Sequence, residues 1–381
     1  MDRIRYIDGL RAVAVLLVVA HHVMLHSPAL RVPVPFFSLA HLLLEGSHGV
    51  DLFFVLSGFC LSYPVLQRLR TQDAARLNVT RYFAKRLVRI VPPYYAAIGV
   101  LLVLPMMHGA ATLADVAKQA LFLDWHTAFL NGSFWTLCVE FRWYSFFPLA
   151  LLLWVRAPRA FWFIACSSAL LYGMTRMHAP DIGTLLPFML GIVAADLHVR
   201  NYPVRRIALA LLPLALLLAL LYEPSASMPS PDGIDSPIFF VQINPGWQLA
   251  AFAFVLLAGS ARPLRSVLSF APLAAVGTAS YSIYLVHEPI VTVIQSRVHL
   301  PLPDTAILAY GAALGAGFGF WAVFERVWMA GAVKERAVAA IEPLVARAAR
   351  VFGIPHEVAL CDAATLTRIA TLEPEGEAAP V

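Results

Sequence analysis

Residues 5–25 read RYIDGLRAVAVLLVVAHHVML, an apolar run from Leu10 to Leu25 that is interrupted only by Arg11, His21 and His22. At 1.5 Å of rise per residue, about 20 such residues match the hydrocarbon thickness of a bilayer. A basic start (Arg3, Arg5) ahead of an apolar run has the form of a secretory signal. This one, however, carries its own ionisable groups and closes without a small-residue cleavage site, so it is read as a retained first span.

The rest of the chain repeats that pattern. Of its 381 residues, 60% are hydrophobic and 13% charged, about half the charge of an ordinary soluble domain. An excess of that size needs lipid as solvent. Spans are expected near 10–27, 48–66, 87–107, 134–155, 160–176, 182–198, 207–222, 247–261, 270–294 and 306–328. The expected fold is therefore an all-α, polytopic transmembrane bundle of about ten spans. In the span at 247–261, Pro245 and Gly246 would interrupt any earlier start.

With a cytoplasmic N-terminus, the inward segments carry Arg68, Arg70, Arg76, Arg81, Lys85, Arg86, Arg156, Arg159, Arg200, Arg205, Arg206, Arg262 and Arg265, while the outward ones hold only Arg31, Lys118, Arg176 and Arg297. The positive-inside rule then places both termini in the cytoplasm and the protein in the plasma (bacterial inner) membrane. It also puts the Pro- and Ser-rich loop 224–244, with Asp232 and Asp235, outside. Residues 1–330 form the membrane domain, and 331–381 a cytoplasmic surface helix with a flexible tail. The net charge of +5 reports topology and not a nucleic-acid partner. Cys60, Cys138, Cys166 and Cys361 form no CxxC pair, which indicates neither a disulfide framework nor a metal site.

Ionisable residues in hydrocarbon cost about 2.5–3.5 kcal/mol each on insertion scales, so each one calls for a function. Arg11, Arg86 and Arg89 lie at the cytoplasmic mouths of the first and third spans. Arg86 and Arg89 share a helical face at i and i+3, and guanidinium groups grip phosphates with charge-assisted, bidentate bonds. His22, about 16 Å further out than Arg11, falls on the same face of the first helix. Asp51, Glu140 and His287, from three other spans, fall with it in the outer half of the membrane. His21 points about 100° away, and Arg142 faces a side different from that of Glu140.

These residues also carry a family pattern. The run 5–15 leading to His22 resembles the first helix of the membrane acyltransferase-3 family, whose hallmark is an arginine and a histidine separated by ten residues. Similar to the family in the expected order are Gly49-Val-Asp-Leu-Phe-Phe-Val-Leu-Ser-Gly-Phe59, the Arg86-Leu-Val-Arg89 pair, Phe134-Trp-Thr-Leu-Cys-Val-Glu140, and Ser280-Tyr-Ser-Ile-Tyr-Leu-Val-His287. One departure is Phe141-Arg142-Trp143-Tyr144, where the family continues with Glu-Gln-Phe-Tyr.

The resemblance implies an O-acyltransferase that takes an acyl group, acetyl in the first place, from acyl-CoA to a hydroxyl of a cell-surface carbohydrate or lipid-linked glycan. No tightly bound cofactor is implied. Arg11, Arg86 and Arg89 would hold the donor's phosphates. His22 would be the general base, with Glu140 or Asp51 orienting it as the third member of a triad. An acyl-histidine intermediate is the alternative route. His287, Tyr284 and Tyr281 would line the acceptor side. A secondary transporter or flippase would also place charges inside the membrane, but it calls for inverted repeats and broken helices in matching positions, and neither is evident.

Overall fold

The computed structural model describes residues 4–25, 43–71, 76–107, 112–123, 132–175, 180–221 and 244–360. Arg31, Arg176, the loop 224–243 with Asp232 and Asp235, and the tail from Cys361 onward lie outside them. Apart from turns and short links, the described residues are helical except for one two-stranded antiparallel ribbon, β1 (Arg76–Asn78) paired with β2 (Glu357–Ala359).

In chain order the helices are α1 (Arg5–Leu25), α2 (Gly49–Thr71), α3 (Val79–Met107), α4 (Leu113–Ala120), α5 (Phe134–Arg156), α6 (Pro158–Thr175), α7 (Pro180–Val199), α8 (Arg205–Leu221) and α9 (Pro245–Ser260). They continue with α10 (Arg262–Leu268), α11 (Ala271–Thr278), α12 (Ser280–Arg297), α13 (Leu302–Phe320), α14 (Arg326–Met329) and α15 (Gly331–Val351). A 3₁₀ turn (Glu45–His48) leads into α2, and a π-helical turn (Trp321–Glu325) joins α13 to α14.

Among the described residues, five helical segments are long and apolar enough to cross a membrane: α1, Glu45–Arg70, α5, Asp181–Val199 and Pro303–Met329. The pair α9 and α10, bent by 99°, makes a sixth if it counts as one span. Helices α3, α6, α8 and α12 occupy expected span positions without meeting the same test of length, apolarity and charge.

The surface belongs in lipid. On α8, Ile207, Leu209, Leu214, Leu217, Leu218 and Leu221 are all exposed, whereas Ala208, Ala215 and Ala219 are buried. A water-soluble fold does not leave so continuous an apolar face bare. The alanine seam packs on α9, in the small-residue manner of membrane helix pairs. The chain is a multi-pass membrane protein.

Pro245 does not interrupt α9 but starts it. Asn244 accepts a hydrogen bond from the Gly246 amide at 2.9 Å through its side chain, and proline at the first helical position gives up an amide that has no helical partner anyway. Helices α2 and α7 cross in close contact. A Cβ at Gly58 would sit 2.1 Å from the Phe188 carbonyl oxygen, and one at Gly191 2.1 Å from that of Val55. Phe147, Phe161, Phe188, Tyr94 and Phe134 fill the core beside it.

Helix α15 packs along α3 through Val338 against Ala84 and Val88, and Arg81 reaches Glu335 (3.0 Å) and Glu342 (3.5 Å). Beyond α15 the β1–β2 ribbon fastens the chain to the start of α3, and Arg156 donates to the carbonyls of Ala359 and Leu360.

Candidate active site

Three elements meet at His22. It stands in the last turn of α1, His287 and Glu288 lie in the middle of α12, and Ser133 is the N-cap of α5. Ser133 does not cap its own helix with its side chain. Its hydroxyl and its backbone amide both donate to Glu288 Oε2, each at 2.6 Å. The carboxylate thereby takes over the capping role at the positive end of the α5 dipole.

Glu288 Oε2 is 3.6 Å from His22 Nε2. Ser133 Oγ is 3.5 Å from Nε2 of both His22 and His287, and the two imidazoles meet edge to face with centroids 4.8 Å apart. The acceptors decide the tautomers. His22 Nδ1 lies 2.9 Å from the Val18 carbonyl oxygen and His287 Nδ1 2.8 Å from that of Tyr284. A carbonyl only accepts, so in each ring Nδ1 carries a proton, and in the neutral form of the ring Nε2 is the nitrogen with the lone pair. In His22 that lone pair is on the nitrogen beside Ser133 and Glu288.

The carboxylate beside His22 is thus neither of the two expected. Asp51 accepts from His48 Nδ1 at 2.8 Å, and that imidazole stacks on Trp247. Glu140 accepts from Ser57 at 2.5 Å and from the Tyr144 hydroxyl. One helical turn separates Glu140 from Tyr144, and that local bond faces it toward an inner cavity. Glu288 carried its own signal, an acid inside an apolar run directly after His287. Ser133 gave only that of a serine heading a helix.

The arginines divide as well. A mouth of about 1080 Å³ opens between Asp8, Arg11, Tyr63, Arg89, Trp321 and Glu325. A narrow inner cavity of about 60 Å³ is walled by Arg11, Arg89, Val50, Glu140, Tyr281 and Tyr284, among others. Arg11 and Arg89 therefore line both spaces, and Arg86 lines neither. Its guanidinium lies 5.8 Å over the Tyr144 ring, with Nε buried and without a hydrogen-bond partner, as is Nε of Arg11.

Tyr281 and Tyr284 are walls of this inner cavity and are not on an outer acceptor face. Tyr281 donates to the Ile90 carbonyl oxygen at 3.1 Å, while the Tyr284 hydroxyl lies 2.7 Å from Thr136 Oγ1 and 3.2 Å from the Ser133 carbonyl oxygen. Through Tyr284, Thr136 and Ser133 the inner cavity connects with the His22 cluster. Arg142 forms a bidentate pair with Asp181, at 2.7 and 2.9 Å, away from these groups. Among the described residues no group of side chains suits a metal ion.

A family model described as an acyltransferase domain matches residues 4–326. The chain belongs to this acyltransferase family. Relatives of this acyltransferase include the peptidoglycan O-acetyltransferase OatA of Listeria monocytogenes, 27% identical over 338 residues, which covers 78% of this chain and 51% of the relative. The O-acetyltransferase OatA of Staphylococcus aureus is 23% identical over 336 residues, covering 76% and 51%. A putative O-acetyltransferase of Staphylococcus aureus is 28% identical over 176 residues, covering 39% and 25%. The acyltransferase chain thus spans about half the length of the curated relatives it matches. No solved structure matches it.

Proposed function

We propose that this acyltransferase moves an acyl group, acetyl in the first place, from acyl-CoA to a hydroxyl of a cell-surface carbohydrate. The observation that carries this reading is the meeting of two spaces at Arg11 and Arg89. A roomy mouth holds the cationic pair, and a thin cavity runs from it to Tyr284 and Thr136, which hydrogen bonds join to Ser133 beside His22. The inner cavity has room for only a few water molecules. It is narrower than either a pantetheine arm or a sugar ring, so in this reading the side chains that line it part as the donor's arm enters. The buried, unpartnered Nε of Arg11, which lines the mouth, fits an anion arriving there.

In this reading His22 Nε2 takes the proton of the acceptor hydroxyl as the oxygen attacks the thioester carbonyl. The new C–O bond forms, the C–S bond breaks, and the proton passes from the imidazolium to the departing thiolate. Glu288, held on Ser133, stabilises the imidazolium at the moment it forms. The acceptor is a cell-wall or lipid-linked glycan, in keeping with the substrate that names the Listeria relative. The ten-span topology with both termini in the cytoplasm, the plasma-membrane location, and the division into a domain 1–330 and a cytoplasmic segment 331–381 belong to the same proposal, because they put the mouth where acyl-CoA is made.

The test tracks label from radiolabelled acetyl-CoA onto a panel of envelope glycans, with wild type and His22→Ala purified side by side. Label on a glycan with wild type alone supports both the reaction and the base. Folded wild type that neither binds nor turns over any acyl-CoA sinks the donor. Equal transfer by both proteins removes His22 from its role.

A further inference from the structure

Helix α15 lies beyond the matched domain, which ends at residue 326, yet it is built against the arginine mouth. Its apolar face is fixed on α3 by Val338, and Glu335 and Glu342 hold Arg81 at the far end of the same α3 face. Its first turn starts at Ala330, which itself lines the mouth together with Arg326 and Met329. Lys334 is one turn further on, with its amide bonded to the Ala330 carbonyl oxygen at 2.9 Å.

Lys334 and Val338 are one turn apart on the same face of α15, so the docking of Val338 on Ala84 and Val88 turns the half-buried Lys334 toward α3, the helix that carries Lys85, Arg86 and Arg89. Partial burial and those three like charges, in that order of weight, hold Lys334 below its ordinary pKa, and Glu335 only partly opposes them. Such crowding is unfavourable in the empty molecule. An entering polyanion relieves it, and Arg11, whose buried Nε has no hydrogen-bond partner, lines the same mouth as Ala330.

We propose that Lys334 is a further ligand of the anionic end of the donor, so that the helix beyond the family domain completes the donor site. The inference rests on the acyl-CoA reading above. It adds that α15 is part of the binding machinery and not merely a surface helix. It also names a nucleotide phosphate as the group Lys334 meets.

The test compares wild type, Lys334→Gln and Lys334→Glu in the full chain, with Arg350→Ala, exposed at the other end of α15, as a control for charge. Acetyl-CoA and acetyl-pantetheine, which lacks the nucleotide, serve as donors. The expected result is a KM for acetyl-CoA raised about tenfold in Lys334→Gln and further in Lys334→Glu, with kcat little changed, as for loss of one charge-assisted contact. Acetyl-pantetheine should be used equally by all four proteins. An unchanged KM for acetyl-CoA in both Lys334 variants overturns the inference and leaves the donor reading intact. Equal loss with both donors makes the role of Lys334 structural and also overturns it. Failure of wild type to bind acetyl-CoA sinks the underlying reading instead.

Discussion

Glu288 Oε2 accepts two hydrogen bonds from a single residue, the amide and the hydroxyl of Ser133, and this is what makes the carboxylate a fixed group and not a flexible acid. Removing its charge while keeping its shape separates two roles. Glu288→Gln should lower kcat by about 100-fold, the low end of what general acid–base assistance contributes, with a far smaller change in KM. Asp51→Asn, whose carboxylate serves His48, should cost less. Steady-state kinetics on both variants checks the ranking, and equal effects would restore Asp51 as an orienting group. Gly132 is a second probe of the same point, because a Cβ there would come within 2.6 Å of Glu288 Oε1. Gly132→Ala should therefore displace the carboxylate and depress kcat in a protein that still purifies as a folded species. Unimpaired kcat would mean that the carboxylate position is not critical.

Among the helices, the α2–α7 crossing has no slack. Both glycines face a carbonyl oxygen at 2.1 Å from where a Cβ would be, so the backbones touch as small-residue membrane interfaces allow. Gly191→Val should destabilise the bundle by about 1–3 kcal/mol, the usual cost of overpacking, and appear as a lower melting temperature in detergent. A variant as stable as wild type would show that the crossing can open freely. The helices that bear the site were legible in the sequence for the same reason that they pack. Long apolar runs and a few costly charges are local properties, and α1, α2 and α5 fall where those runs predict, whereas the run 270–294 is divided at Ala279 into α11 and α12. Partner choice is not local. The sequence puts Glu140 and Asp51 at the expected depth of His22, but depth along a helix says nothing about azimuth between helices. Ser57, Tyr144 and His48 claimed those two carboxylates. The docking of α15 was hidden for a related reason, since an amphipathic helix does not state which surface it will cover.

Across the whole molecule, the arginine pair and the histidine cluster lie on one path, with the thin inner cavity as its middle section. Arg11 and Arg89 border the mouth and the cavity alike, and Tyr284 and Thr136 stand between the cavity and Ser133. On the proposed function, donor recognition and bond exchange are separable by blocking that middle section. Val50 lines the cavity and takes no part in the hydrogen bonds at either end. Val50→Trp adds an indole of the same order of volume as the cavity itself. Its expected outcome is loss of transfer to glycan by at least about 100-fold, as misplacement of a reacting group costs, with the dissociation constant for CoA kept within about threefold because the mouth is untouched. Equilibrium dialysis with labelled CoA, paired with the transfer assay, reads both quantities on one preparation. Transfer at the wild-type rate would mean that the acyl chain reaches His22 by another way. Loss of CoA binding together with transfer would mean that mouth and cavity act as one site.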